Sequence, residues 1–287
     1  MELQERLYNH LTQIVRDRNP YFASAGHFYV QQYIRQQLEQ WGNVELDEFE
    51  VRGKVHHNLI LSLPGGDPPF KKGGSSHKLH PILIGAHYDT VPGSPGADDN
   101  GTGLAVLLEL ASAIASQPLR YPVQLIAFDM EEYGCFGSDR YAAKLQAENQ
   151  PLRLMIALEM LGYYDNTPNS QSYPTGLKYF YPNCGNFIAL IGNLRTIPDM
   201  INLSRNMRQS GSNCEWLPVP NRGLIVPDTR RSDHAPFWDR GYPAIMVTDT
   251  ANMRNPHYHQ KSDKIDTLNL DFLAGICQGL EVGIRCL

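Results

Sequence analysis

Five cysteines in 287 residues, at positions 135, 184, 214, 277 and 286, form no CxxC pair and are odd in number. Zinc held by thiolates is therefore not expected. Most of these thiols are expected to pack as small apolar groups, with a Cys277–Cys286 disulfide left open. Long apolar runs are also lacking. The longest, Leu104 to Ala115, carries Glu109 and is well short of the roughly 20 residues that a bilayer requires. Basic clusters are equally scarce: Arg230-Arg231 is the nearest approach, in a chain with 25 Lys and Arg, 30 Asp and Glu and a net charge of -5. This balance argues against nucleic acid as a partner, because phosphate binding needs clustered cations. No membrane partner is expected either. The amino-terminal stretch MELQERLYNHLTQIVRD mixes charged and apolar residues at helical spacing and does not read as a secretory signal. A cytoplasmic location is expected if the chain is full length, and a secreted or periplasmic one if a leader has been removed.

What is present describes a globular α/β protein. Residues are 42% hydrophobic and 19% charged, an ordinary composition for a folded domain. Chains of this length often form one unit in α/β enzymes. We expect a single domain over 1–287, with 1–43 as a helical segment packed on it and 64–78 as an exposed loop. Helices are expected at 1–17 and 24–41, and strands at 44–51 and 57–63. The loop PGGDPPFKKGGSSHK follows. PILIGA (81–86), PVQLIAF (122–128), LRLMIAL (152–158) and AIMVT (244–248) are short apolar runs of the kind buried on both faces of a sheet. Helical segments at 103–116, 138–147, 199–210 and 270–284 alternate with them, which implies a largely parallel sheet. In such sheets ligands sit beyond the carboxyl ends of the strands.

Acidic residues and histidines gather at those ends. PILIGA runs into His87-Tyr88-Asp89, and a loop then carries Asp98-Asp99-Asn100-Gly101 into a helix. PVQLIAF ends in Asp129-Met130-Glu131-Glu132, LRLMIAL ends in Glu159, and His257-Tyr258-His259 follows AIMVT. Singly, each has an ordinary reading: a surface His–Asp pair, a turn with a helix cap, an acidic first helical turn. Together they are hard to explain without a cation. Clustered carboxylates repel one another and are costly to bury unpaired, and divalent metal ions remove that cost. Nitrogen and carboxylate ligands without thiolate suit zinc, cobalt or manganese. His87 and Asp89 are two apart on an extended segment and so share a side, which fits an imidazole ligand oriented by a carboxylate. Glu131 and Glu132 cannot both aim at one point; one is free to bind metal and the other to act as general base.

The strings GAHYDT, PGADDNGTGLAVLLELA, FDMEEYGCFGS, LEMLGYY, SDHAPF with GYPAI, and YHQKSD, in this order from about residue 56 to 284, resemble the bacterial leucine aminopeptidase and aminopeptidase Y family of two-zinc exopeptidases. Glutamate carboxypeptidase and the glutaminyl cyclases belong to the same group. The resemblance implies a three-layer zinc-exopeptidase fold, with a mixed, mostly parallel central sheet of about eight strands and helices on both faces. It implies two zinc ions per chain, held by His87, Asp99, Glu132, Glu159 and His259. Asp99 is then the bridging ligand, Asp89 the carboxylate that orients His87, and Glu131 the general base. Glu159 stands where the family often carries Asp, a departure that bears on metal preference. Ser232-Asp233-His234 recurs near the substrate pocket of many members, and His257 becomes a neighbour of the site.

The activity implied is removal of one residue from a peptide's end, with the amino end favoured. Alternatives are a carboxypeptidase or dipeptidase on the same scaffold, a single-zinc glutaminyl cyclase and, from another class, a non-catalytic binding module. A carboxypeptidase needs a cationic clamp, for which Arg222, Arg230, Arg231 and Arg254 are the candidates. The pocket is expected among Asp233, His234, Tyr163, Tyr181, Trp238 and Tyr258, with Tyr164 and Phe187 nearby. Its sparse charge favours apolar or aromatic terminal residues.

Overall fold

Apolar residues at helical spacing fold the amino-terminal segment as α1 (Leu3–Ile14), whose Leu7, Leu11 and Ile14 are fully buried. α2 (Ser24–Leu38) buries Val30, Ile34 and Leu38 in the same way. The computed structural model describes residues 1–66 and 79–287; of the loop expected at 64–78, residues 67–78 lie outside the described residues.

The strands are β1 (Val44–Val51), β2 (Lys54–Leu63), β3 (Ile82–His87), β4 (Val123–Phe128), β5 (Leu154–Glu159), β6 (Ile188–Asn193), β7 (Cys214–Val219) and β8 (Ala244–Thr248). They form one mixed sheet in the order β1-β2-β4-β3-β5-β8-β6-β7. β3 pairs in parallel with β4 and β5, and β5 with β8, so four central strands open their carboxyl ends on one rim. β2 and β6 run antiparallel to the strands at either side of this block. The remaining helices are α3 (Gly103–Ser116), α4 (Phe136–Ala147), α5 (Ile197–Gln209), α6 (Ala235–Asp239) and α7 (Leu270–Arg285).

Alternation along the strands sends neighbouring side chains to opposite faces. Ile82 and Ile84 join a core with α1, α2, α3, α5 and α7, while Leu83 packs on the other side with residues of α4 and α6. Helix α3 lies against the sheet and is buried along most of its length, which explains its apolar sequence.

β6 and β7 are absent from the strands expected from the apolar pattern. β7 is an edge strand with Pro218 in it and only two fully buried positions, so its alternation is weak. β6 reads as an apolar run but lies in a long stretch of turns, and only pairing with β8 and β7 defines it. β2 begins at Lys54, before the expected start, because it pairs with β1 through a tight turn. All five cysteines are free, with Cys214 and Cys277 buried. Among the described residues no helix is long and apolar enough to cross a membrane.

Gly85 sits in β3 under the ring of Phe128, and a Cβ there would lie 2.4 Å from a ring carbon. Gly85→Ala should destabilise the fold by about 1–3 kcal/mol, the usual cost of overpacking. Urea unfolding measures it; an unchanged midpoint would mean that the ring gives way freely.

Candidate metal centre

The rim where β3, β4, β5 and β8 end carries the predicted residues on four separate loops. His87 is the last residue of β3 and is wholly buried. Its Nε2 lies 3.3 Å from Oδ1 of Asp99 and 3.6 Å from Oε2 of Glu159. His259 Nε2 lies 3.1 Å from Oδ2 of Asp99 and 3.1 Å from Oε2 of Glu132. Two donor groups result, His87–Asp99–Glu159 and Asp99–Glu132–His259. Asp99 belongs to both and faces each with a different oxygen, the geometry of a bridging carboxylate.

These donors fit a pair of metal ions. Both ring nitrogens of His87 are buried without a hydrogen-bond partner although carboxylates surround the ring. Among the described residues no Lys or Arg is ion-paired to Asp99, Glu131, Glu132 or Glu159. Nitrogen and oxygen ligands at this mutual spacing suit zinc. Asp129 shows the contrast. It sits on the same loop as Glu131, yet it is held by His27 at 2.8 Å and His56 at 3.0 Å and takes no part in either group.

The supporting contacts are specific. Asp89 approaches His87 Nδ1 at 3.5 Å and accepts the backbone N–H groups of Glu131 and Glu132 at 3.0 and 3.2 Å. One carboxylate thus ties the β4 loop to the imidazole. Ser232 donates its hydroxyl to Glu159 at 2.6 Å. Asp263 accepts the backbone N–H groups of Asp98 and Asp99 at 2.9 and 3.1 Å. Arg18, fully buried, donates to the carbonyls of Pro95, Gly96 and Asp99 at 2.8, 3.0 and 3.3 Å. Gly96 has φ +63, and a Cβ there would meet the Arg18 guanidinium at 2.8 Å, so glycine is needed for both reasons. Sequence reasoning missed Arg18 and Asp263. Asp263 closes the YHQKSD string, which was a usable signal; Arg18 stands far from every motif.

Glu131 belongs to neither donor group. Its Oε2 lies 3.9 Å from His87 Nε2, and the Cys135 thiol approaches Oε1 at 3.5 Å. Burial pushes its carboxyl well above the usual range against the pull of His87, and Glu159, Glu132 and Asp233 add to the rise. Burial and Asp99 likewise lift Glu132 to about 7. Asp99 goes the other way: burial opposes its ionisation, but hydrogen bonds from His259 and His87 prevail and hold it below the ordinary carboxylate range.

An apolar cavity opens beside Glu159, walled by Phe187, Trp216, Leu217 and Met246 together with Tyr181 and Tyr258. Tyr163, Asp233, His234 and Trp238 do not line it. Trp238 is buried in the core and donates its indole N–H to the carbonyl of Ala244 at 2.9 Å. His234 packs edge-on against that ring at 4.3 Å and bonds the carbonyl of Thr229 through Nε2. Burial lowers its pKa to about 4, so it is neutral there. Asp233 is buried with its carboxyl raised to about 7 by burial, near His87 and Glu159. Tyr163 stands edge-on to His257, and Tyr164 packs on Phe272.

The model of peptidase family M28 matches residues 59–196 and 200–280. The uncharacterized protein YfbL of Escherichia coli is 35% identical over 87% of this chain and 77% of its own. Aminopeptidase YwaD of Bacillus subtilis is 30% identical over 68% of this chain, a match that spans 38% of that protein. The fold superposes on solved aminopeptidases and glutaminyl cyclases alike. The LapA aminopeptidase of Legionella pneumophila aligns with a TM-score of 0.72 at 20% identity, over 98% of this chain and 71% of its own.

Protonation gives a test of the donor set. Without metal, burial opposes the charging of both imidazoles, yet Glu159 and Glu131 hold His87 well above its usual pKa, and Asp99 and Glu132 raise His259 to about 10. Both rings are therefore protonated near neutrality, whereas a metal ligand must be unprotonated. Zinc uptake should release protons, and affinity should climb with pH up to about 10, where His259 loses its proton unaided. Calorimetry in buffers of different ionisation enthalpy reads the release. Uptake without it would show that these histidines are not ligands.

Proposed function

The chain belongs to peptidase family M28 and is a metallopeptidase, and on that premise we propose that it is an aminopeptidase acting with two zinc ions. His87, Asp99 and Glu159 would hold one ion, and Asp99, Glu132 and His259 the other. The observation that carries the reading is the position of Asp99, with one carboxylate oxygen turned to each imidazole and Glu131 left outside both groups.

When bound, the zinc ions supply Lewis acidity toward the scissile carbonyl and offset the repulsion among the carboxylates. Glu131 takes the proton of the attacking water and delivers it to the departing nitrogen. A carboxyl whose pKa is lifted by burial is better matched to that double role than an exposed one. Asp89 fixes the backbone that carries Glu131 and Glu132, so base and ligand keep their separate directions. Ser232 holds Glu159 against the extra freedom of its longer side chain. The substrate's α-amine lies at this carboxylate-rich rim, and the apolar cavity beside Glu159 receives the first side chain. Large apolar or aromatic first residues are favoured accordingly.

Glu131→Gln keeps the shape and removes the proton acceptor. It should retain zinc and lose about 10²–10⁴-fold in turnover, the usual contribution of a general base. Full activity in that variant would remove Glu131 from the mechanism. Zinc content and cleavage should be measured together on peptides blocked at either end, with and without chelator. Two ions per chain and chelator-sensitive release of the first residue from free amino ends support the reading. One ion with cyclisation of amino-terminal glutamine would make the chain a cyclase instead. Cleavage that demands a free carboxyl end would make it a carboxypeptidase.

A further inference from the structure

We propose that Ala189 is a specificity-determining residue that sets the depth of the cavity beside Glu159, so that aromatic first residues are preferred to leucine. The proposal rests on the aminopeptidase reading, in which this cavity receives the first side chain, and deepens it.

The sheet itself ties the cavity floor to the donor groups. Glu159 of β5 pairs with Thr248 of β8, Thr248 with Ala189 of β6, and Ala189 with Glu215 of β7. Residues paired across strands share a face of the sheet, and all four line the cavity. One row across four strands thus starts at a member of the His87–Asp99–Glu159 group and runs outward beneath the cavity. Neighbouring strands lie about 4.7–4.9 Å apart, so Ala189 stands roughly 10 Å from Glu159 along the row. A second row, Met246, Ile191 and Leu217, is paired in the same register and also lines the cavity.

Ala189 is the smallest side chain in either row, so the floor is lowest there. The polar groups around it are engaged. Thr248 accepts the Thr250 N–H at 2.9 Å, and Glu215 pairs with Arg208 at 3.1 Å. Of the arginines at 222, 230, 231 and 254, Arg231 lines the wall, and its Nη2 donates to the Tyr258 hydroxyl at 3.2 Å. A first residue with its carbonyl at the donor groups sends its side chain over Thr248, and an aromatic ring continues over Ala189. The facing walls are pinned. Tyr173 and Tyr181 stack with centroids 6.0 Å apart, and the Tyr181 hydroxyl donates to the Trp216 carbonyl at 3.0 Å. The Arg254 guanidinium covers the Phe187 ring at 4.7 Å. Packed walls of this kind yield little, so carbon added at 189 takes the space of the substrate's ring.

The experiment compares kcat/KM of the zinc-loaded enzyme on the p-nitroanilides of Phe, Leu and Ala, for wild type, Ala189→Val and Ala189→Leu. Wild type should favour Phe over Leu by about tenfold, as for a modest difference in fit to an apolar pocket. Ala189→Val should bring that ratio near one and Ala189→Leu should invert it. The Ala substrate stops short of position 189 and should keep its wild-type kcat/KM. A ratio taken within one sample does not depend on how much of a variant has folded, and Ala189→Val carries the test if the bulkier variant does not fold. A wild-type ratio of Phe to Leu at or below one, or the same ratio in wild type and variants, overturns the proposal while the aminopeptidase reading stands. An equal loss on all three substrates overturns it too, since Ala189 would then support Glu159 without selecting among side chains. No hydrolysis of any of the three by wild type would overturn that reading, and this proposal with it.

Discussion

Carboxylates gathered at one rim of a sheet repel one another, and the structure around this rim is arranged to hold them there. Asp99, Glu131, Glu132, Glu159 and Asp233 converge from four loops onto His87, which is wholly buried among them. Burial, with their own fields added to it, pushes Glu131, Glu132 and Asp233 toward the neutral form while Asp99 stays ionised between two imidazoles. Divalent ions resolve this conflict in a way that monovalent side chains do not, because they add charge without a tether.

The cationic side chain nearest at hand respects that division of labour. Arg18 sits fully buried behind the loop of Asp99, but its guanidinium meets backbone carbonyls and leaves the carboxylate oxygens free. Burial lowers its pKa to about 10, with Asp99 and Asp263 opposing, so it stays charged at neutral pH. The same connector between α1 and α2 binds the loop after β3 through Thr90 and Gly93. The amino-terminal helices are thus part of the site's support, since they share the sheet's core and carry the segment that shapes two of its loops.

The apolar cavity adjoins the donor groups at the same rim. The cavity wall is built by β6, β7, β8, the turns between β5 and β6, the β7–β8 connection and the segment after β8, apart from the loops that hold His87 and Asp99. Glu159 and Tyr258 are the residues at which the two meet, one a member of the His87–Asp99–Glu159 group and the other stacked on His259. Changes in the turns can therefore alter what enters the cavity with little effect on the donor set.

The apolar runs that became β3, β4, β5 and β8 were legible because strands buried on both faces leave no room for polar alternation, and the acidic and histidine residues at their ends stood out for the same reason. β6 and β7 were not, because a short interior strand among turns and a proline-bearing edge strand have little local pattern and exist through pairing. Of the expected pocket residues, Tyr181 and Tyr258 line the cavity while His234 and Trp238 pack in the core, a division that aromatic type alone does not reveal. By itself, then, the chain determined the alternation of elements and the donor types at the strand ends, since both follow from local side-chain chemistry. Tertiary structure alone decided which oxygen of Asp99 meets which imidazole, that Arg18 braces the loop from some 80 residues away, and which of four arginines faces the cavity. Those are matters of distance between segments remote in sequence, and only the packed sheet sets them.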